Sequence, residues 1–496
     1  MLESAKLYGV SQVLGKYLKF IRGGKSGSDK PNAAPPASRP LAPPSSIPLL
    51  DSLPSVAAEE AIDTGRIAAD NVVASIPEIE TTGQRTNAEK LRQKIIGRQP
   101  VLNRSQQIIG YELLLRSKVL PTVKAPDAAL RRMQDEALIR CLVGLDVNRL
   151  LEDKLAFVGI SPVMLESPLL RKLPCKGVVL VVCPDPDKLE DNLLRCRELR
   201  SLGYQIALDD FEEKRGLGQF LTLASFIRVD VARFNAIELG KLADRFLDLS
   251  TPQLLAKNVE TDDDFEACYK MHFHCFEGNY FTRLRPSMPP RVDSDRIRVL
   301  ELLNMVKNQK EISQLEEGFK HDAMLSYKLL RYINAPVNGL QQQIRSIAHA
   351  LVILGYKQLY RWLTLLLFTS GKADPRSKAL LQNALVRARM TELLGQGKLP
   401  PAEREGLFIV GIFSLLDVLL NVPMEQALEH LQLPGPVMAA LARRESVYTP
   451  FLALSVACEE ADQEAIIEYA AACGLDANEV NTAQVKALVW AESIDL

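Results

Sequence analysis

The residues of this chain that could do chemistry stand at the ends of short apolar runs. Glu112 lies in GYELLLR, four residues before Arg116, and Asp209 and Asp210 close QIALDDF. Arg228 and Asp230 end FIRVD, Lys257 and Glu260 end LLAKNVE, and Glu277 sits in CFEGNYF. Carboxylates converging from several strand ends are what a divalent-metal centre needs. Hard oxygen ligands hold the ions, and the ions activate water and neutralise phosphoryl charge. His321–Asp322 spells a metal-hydrolase dyad, but such a centre needs further imidazoles, and the chain has only five histidines in all. Asp322 is therefore read as a helix N-cap and His349 as a core residue of an apolar helix. The eight cysteines form no C-x-x-C pair, so they read as reduced core thiols and not as a zinc site.

Elements must bring those side chains together. Apolar, β-rich runs occur at Ile95–Leu102, Ile108–Leu115, Leu155–Ser161, Gly177–Cys183, Gln205–Phe211, Phe226–Val231, Gln253–Val259 and Cys275–Phe281. Helical patterns separate most of them, at Asp127–Leu145, Met164–Leu173, Lys188–Leu202, Asn235–Leu249 and Asp262–Met271. Repeated strand–helix alternation implies a parallel sheet, and eight such strands imply a βα barrel with chemistry at the strands' C-terminal ends. The first two runs are too close for a parallel crossover and predict a hairpin. After Pro290 the pattern is helical throughout, which predicts an all-α unit. The helices expected there include Ile344–Leu354, Lys357–Thr369, Ser377–Gly395 and Glu403–Leu420.

The N-terminal part has another texture. Leu7, Val10, Leu14, Tyr17, Leu18 and Ile21 share one helical face, with Lys6, Lys16, Lys19 and Arg22 beside it. This predicts an amphipathic basic helix over residues 1–22, suited to peripheral membrane contact, a partner groove or its own protein. Residues 23–90 read as a flexible, disordered linker, rich in Pro, Ala and Ser up to about Ser55. Among 496 residues, 60 Lys and Arg stand against 61 Asp and Glu, a net charge of −1. That balance excludes bulk electrostatic binding of nucleic acid. No apolar run reaches the ~18 residues of a membrane span, and a cytoplasmic location is expected.

The motifs in order, GRQPVL, GYELLLR, ALDDF, FIRVD, AKNVET and GNYFTRLRP, resemble the EAL family of cyclic di-GMP phosphodiesterases over about residues 94–286. ELLNMV, DAMLSYKLLRYINAP and IRSIAHALVILGYKQLYRWL resemble the HDOD family, over about 292–490. The resemblance implies a TIM-like barrel at 91–288 followed by an all-α HDOD domain at 289–496. It places the family's EAL glutamate on Glu112, its phosphate-binding arginine on Arg116, and its paired aspartates on Asp209 and Asp210. Elsewhere the chain departs from the pattern. A metal-binding asparagine falls on Gly159 and a metal-binding glutamate on Val181 or a close neighbour in VVLVVCP. The catalytic lysine falls on Arg228, a further glutamate on Lys257, and a glutamine on Glu277.

Two metal ligands thus lose their oxygen, and a third becomes a cation that repels divalent ions. Arginine is no substitute for a compact ammonium at a metal–water site. The expectation is a non-catalytic signalling protein without metal or cofactor, with Glu112, Asp209, Asp210, Arg228, Lys257, Glu260 and Glu277 as a remnant site. Lys257 is expected to pair with Asp209 or Asp210 in place of the metal. Partners are expected at the HDOD domain and the N-terminal helix. Cyclic di-GMP held by Arg116, Arg228 and Leu114 without hydrolysis is the secondary expectation, and residual hydrolysis the third. The partner's identity, the regulated output and the oligomeric state are not fixed by the sequence.

Overall fold

The computed structural model describes residues 95–115, 128–145, 154–209, 218–247, 252–286, 288–334, 342–371 and 374–494. The N-terminal helix and linker expectations lie outside these residues. Eight strands close a barrel in sequence order: β1 (Gly97–Asn103), β2 (Ile108–Leu114), β3 (Leu155–Ile160), β4 (Val178–Val182), β5 (Gln205–Leu208), β6 (Phe226–Asp230), β7 (Gln253–Lys257) and β8 (Cys275–Glu277). Strand β1 runs antiparallel to both neighbours, β2 and β8, and every other pair is parallel. The short loop after β1 leaves no room for a crossover, so the chain turns back on itself there. The side chains of Val101, Phe157, Val179, Val181, Ala207, Phe226, Leu255 and Cys275 fill the interior.

Helices α1 (Ala128–Gly144), α2 (Leu189–Ser201), α3 (Gly218–Leu221), α4 (Ala236–Leu247) and α5 (Asp262–Lys270) connect the strands. The helix expected at Met164–Leu173 is instead two 3-10 turns, Pro162–Met164 and Pro168–Lys172. Pro168 lacks the amide a continuous helix needs, and Ser167 caps the second turn by accepting from the Leu169 amide.

Beyond the barrel, all described elements are helical. Packing gathers Ser294–Thr369 into one compact unit and joins Ser370–Glu492 to the barrel in a second. The helices group differently in packing from a single division at residue 289.

The first unit holds α6 (Ser294–Lys307), α7 (Ile312–Lys320), α8 (Ala323–Ile333) and α9 (Ile347–Thr369). The two helices expected over 344–369 form one element broken at Gly355, whose φ of 68° is a left-handed conformation natural to glycine. By length and composition α9 is the one described helix able to cross a membrane, yet half of its apolar window is buried within the fold. Trp362 is buried there, with ring centroids 5.7 Å from Tyr332 and 6.3 Å from Phe319. Asp322 caps α8, accepting from the Met324 and Leu325 amides at 2.9 and 3.0 Å. His349, expected in the core, is exposed, because its neighbours Ala350, Leu351 and Leu354 take the buried face of α9.

The second unit adds α10 (Ser377–Leu394), α11 (Pro401–Phe413), α12 (Leu416–Leu420), α13 (Met424–Leu428), α14 (Gly435–Leu441), α15 (Thr449–Glu460), α16 (Gln463–Ala472) and α17 (Ala477–Ser493). The single helix expected at Glu403–Leu420 is broken between Phe413 and Leu416. Helices α15 and α17 are not among the elements expected from sequence. They cover the outer face of β1. There Arg98 donates to Gln484 Oε1 at 3.0 Å, the Ile96 amide donates to Asn481 Oδ1 at 2.8 Å, and Gln484 Nε2 donates to the Ile96 carbonyl at 2.9 Å. All cysteines are free thiols. Cys175 and Cys183 are exposed, contrary to the core expectation, while five others are buried.

Candidate functional site at the barrel mouth

Side chains alternate along a strand, so residues two apart share a face. Two positions beyond the interior layer of Phe157, Val179, Ala207, Phe226, Leu255 and Cys275 stand Gly159, Val181, Asp209, Arg228, Lys257 and Glu277. The C-terminal ends of six strands thereby converge on one rim, and Glu112 joins them from β2. Gly278 fixes the last of these positions. Its φ is 147°, and a Cβ there would stand 2.0 Å from the Val259 carbonyl oxygen, so only glycine lets the chain leave β8 so close to the end of β7.

Arg228 is the hub. Its Nη2 lies 2.7 Å from a carboxylate oxygen of Glu112 and 2.7 Å from one of Glu277, and its Nη1 is 3.8 Å from Asp209. Arg228 is 2% exposed and Glu277 1%. Lys257 Nζ donates to both oxygens of Asp209, at 2.9 and 3.0 Å. Asp230, one step outward on β6, accepts from Asn258 Nδ2 at 2.8 Å and pairs with Arg233 at 3.2 Å. Glu260 does not join this rim; it pairs with Arg283 at 2.6 Å on a more exposed surface. Leu114 ends β2 half-buried, and Arg116 and Asp210 lie outside the described residues.

The electrostatics follow from burial and a surplus of acid. Burial pushes the Glu112 carboxyl up to about 8, against the pull of Arg228 and with Glu277 and Asp209 adding to the rise. Burial also opposes the charge on Arg228, but Glu112, Glu277 and Asp209 together hold its guanidinium well above its ordinary value. With a proton on Glu112, two acids, Asp209 and Glu277, face two cations, Arg228 and Lys257, among the described residues.

Among the described residues, that donor set leaves few free oxygens for a divalent ion. Gly159 and Val181, paired across β3 and β4, offer no side-chain oxygen, and the Asp209 oxygens are occupied by Lys257. The charge between Glu112 and Glu277 is already supplied by Arg228. Among the described residues no group of three or more His, Cys, Asp or Glu side chains could hold a metal ion.

Sequence reasoning treated Arg228 and Glu277 as two separate departures from a pattern. The structure couples them: a fork-shaped cation and a new carboxylate meet at hydrogen-bond distance. The signal was present in the strand parity, which aims both inward. The close approach of the helices to β1 was not legible. A Cβ on Gly97, at the start of β1, would stand 2.7 Å from the Ala461 Cβ in the turn between α15 and α16.

Residues 296–430 match the family model described as the HDOD domain. The uncharacterized protein YuxH of Bacillus subtilis is 26% identical over 407 residues, which cover 80% of this chain and 98% of YuxH. The cyclic di-GMP phosphodiesterase CdgJ of Vibrio cholerae is 28% identical over 408 residues, covering 81% of this chain and 93% of CdgJ. Among solved structures, an EAL domain protein from Listeria monocytogenes aligns at 18% identity and a TM-score of 0.34, over 42% of this chain and 94% of that one. The ordered motifs, the closed barrel with its antiparallel first strand, the HDOD match at 296–430 and the relatives matched over most of their length show what this chain is similar to: an EAL-type barrel followed by an HDOD domain.

Proposed function

We propose that this protein is a non-catalytic regulator in bacterial cyclic di-GMP signalling, acting in the cytoplasm through contacts with other proteins. The observation that supports this most is Arg228 bridging Glu112 and Glu277 while Lys257 holds Asp209. Internal cations take the part of the ions that a two-metal phosphodiesterase would recruit. The partner surface in this reading is the HDOD domain, with residues 1–22 as a second contact with a partner or an anionic membrane surface.

A catalytic reading draws its support from CdgJ, whose name is that of a phosphodiesterase and whose similarity runs through both parts of this chain. A sensor reading would use Arg116, Leu114 and Arg228 to hold the nucleotide without cleaving it. One experiment separates the three. The full chain is titrated calorimetrically with cyclic di-GMP and Mg²⁺, and the mixture is chromatographed for linear dinucleotide. The regulator reading expects no metal-dependent product. Linear product that disappears in Asp209→Ala overturns it in favour of the enzyme. Saturable heat without product, lost in Arg116→Ala while the fold persists, moves the reading to the sensor.

A further inference from the structure

Beside the barrel mouth lies a second charged cluster, built on different elements. Arg285 and Arg291 come from the segment after β8, and Arg376 stands at the N-terminal end of α10. Asn421 fastens that segment in place: its Oδ1 accepts from the Arg285 amide at 2.8 Å, and its Nδ2 donates to the carbonyls of Arg285 and Met288 at 3.1 and 2.8 Å. The Arg291 amide donates to the Leu420 carbonyl at 2.7 Å. These bonds fix the backbone of the segment that carries Arg285 and Arg291.

Three arginines here share two aspartates. Arg285 pairs with Asp262 at 2.5 Å, and Arg291 pairs with Asp374. Arg376 is fully buried and reaches Asp374 only at 3.6 Å, and none of its three guanidinium nitrogens has a hydrogen-bond partner. Arg285 Nε and the buried Tyr280 hydroxyl are also without one. Burial and the neighbouring Arg285 charge push Arg376 down to about 10. A buried guanidinium with open donors is costly. An oxyanion satisfies several such donors at once, because the planar fork matches its geometry. The positive end of an 18-residue helix adds to the attraction.

We propose that Arg285, Arg291 and Arg376, with the Tyr280 hydroxyl, form a binding site for a small oxyanion of the phosphate class. The site is separate from the rim around Arg228, and two of its side chains, Arg291 and Asp262, are each about a quarter exposed. The bound anion ties α10 to the segment leaving the barrel.

The test uses the full chain in phosphate-free buffer, with inorganic phosphate added at constant ionic strength and thermal unfolding as the readout. A saturable rise in Tm is expected, with an apparent Kd at least tenfold weaker in Arg376→Gln. Arg291→Gln, at a partly exposed position, gives the same weakening should Arg376→Gln fail to fold. Lys270→Gln, on the far surface of α5, keeps the full response. The absence of a saturable shift, an equal shift with chloride, or an undiminished response in the arginine variants would each overturn the site.

Discussion

Two buried charge networks in the barrel unit are near mirror images. At the mouth one arginine, Arg228, is shared by Glu112 and Glu277. Behind β1 one glutamate, Glu459, is shared by two arginines. Arg387 grips it with two bonds of 2.8 and 2.9 Å, and Arg98 stands 4.0 Å away. Burial acts on both, but the surplus has opposite sign. Surplus acid can take up a proton, so Glu112 rises to about 8. Surplus base cannot readily shed one, because guanidinium stays charged in proteins. Glu459 instead falls below its ordinary value: burial acts to raise it, and the pull of Arg387 and Arg98 prevails. The mouth can adjust its charge near neutral pH, and the rear network cannot.

Breaking the rear network should therefore cost most. Glu459→Gln strands two buried guanidinium groups and is expected to lose about 3–5 kcal/mol of stability, read by urea unfolding. Arg228→Met removes the hub of the mouth, but the carboxyls left behind can bind protons. A smaller loss, about 2–3 kcal/mol at pH 7.5, is expected, shrinking toward pH 5. A loss independent of pH would show that the mouth does not adjust. Lys257→Glu sets a carboxylate beside Asp209 at a site that solvent partly screens, with an expected loss of about 1–2 kcal/mol. Unchanged stability there would remove the ion pair from any structural role.

The last test sharpens the comparison through a slope. The Glu112 carboxyl sits at about 8 in the fold against 4.5 ordinarily. The folded state therefore keeps a proton that the unfolded chain releases, and stability falls as pH rises between those values. Glu112→Gln should start near wild type at pH 5, gain on it up to about pH 8, and gain nothing further. Parallel melting curves for the two proteins across that range would contradict the protonated rim.

The difference between the networks also explains what could be read in advance. The mouth is made of strand ends, where runs such as VVLVV and FIRVD announce themselves and alternation fixes which side chains face inward. The eight strands and the hairpin were accordingly legible, as was the inward aim of Asp209, Arg228, Lys257 and Glu277, while Glu260, expected with them, stands apart. Lys257 is expected to pair with Asp209 or Asp210, and in the fold it holds Asp209. The rear network depends on TPFLALSVACEE and ANEVNTAQVKALVWAES, which are not amphipathic in the usual way. Helix α15 buries Ser455 and Glu459 alongside Phe451 and Leu454, so its polar residues do not mark a solvent face. A charged residue sunk among apolar neighbours is invisible until its partners, Arg387 and the far more distant Arg98, are in place.

That distance has a kinetic meaning. Arg98 meets Gln484 across 386 positions. At ~5–20 residues per second of synthesis, the outer face of the first strand waits on the order of 20–80 s for the helix that covers it. During that interval the antiparallel hairpin is an open ledge on the nascent chain. A chaperone that holds it until α17 emerges would decide how much of the protein reaches its folded state.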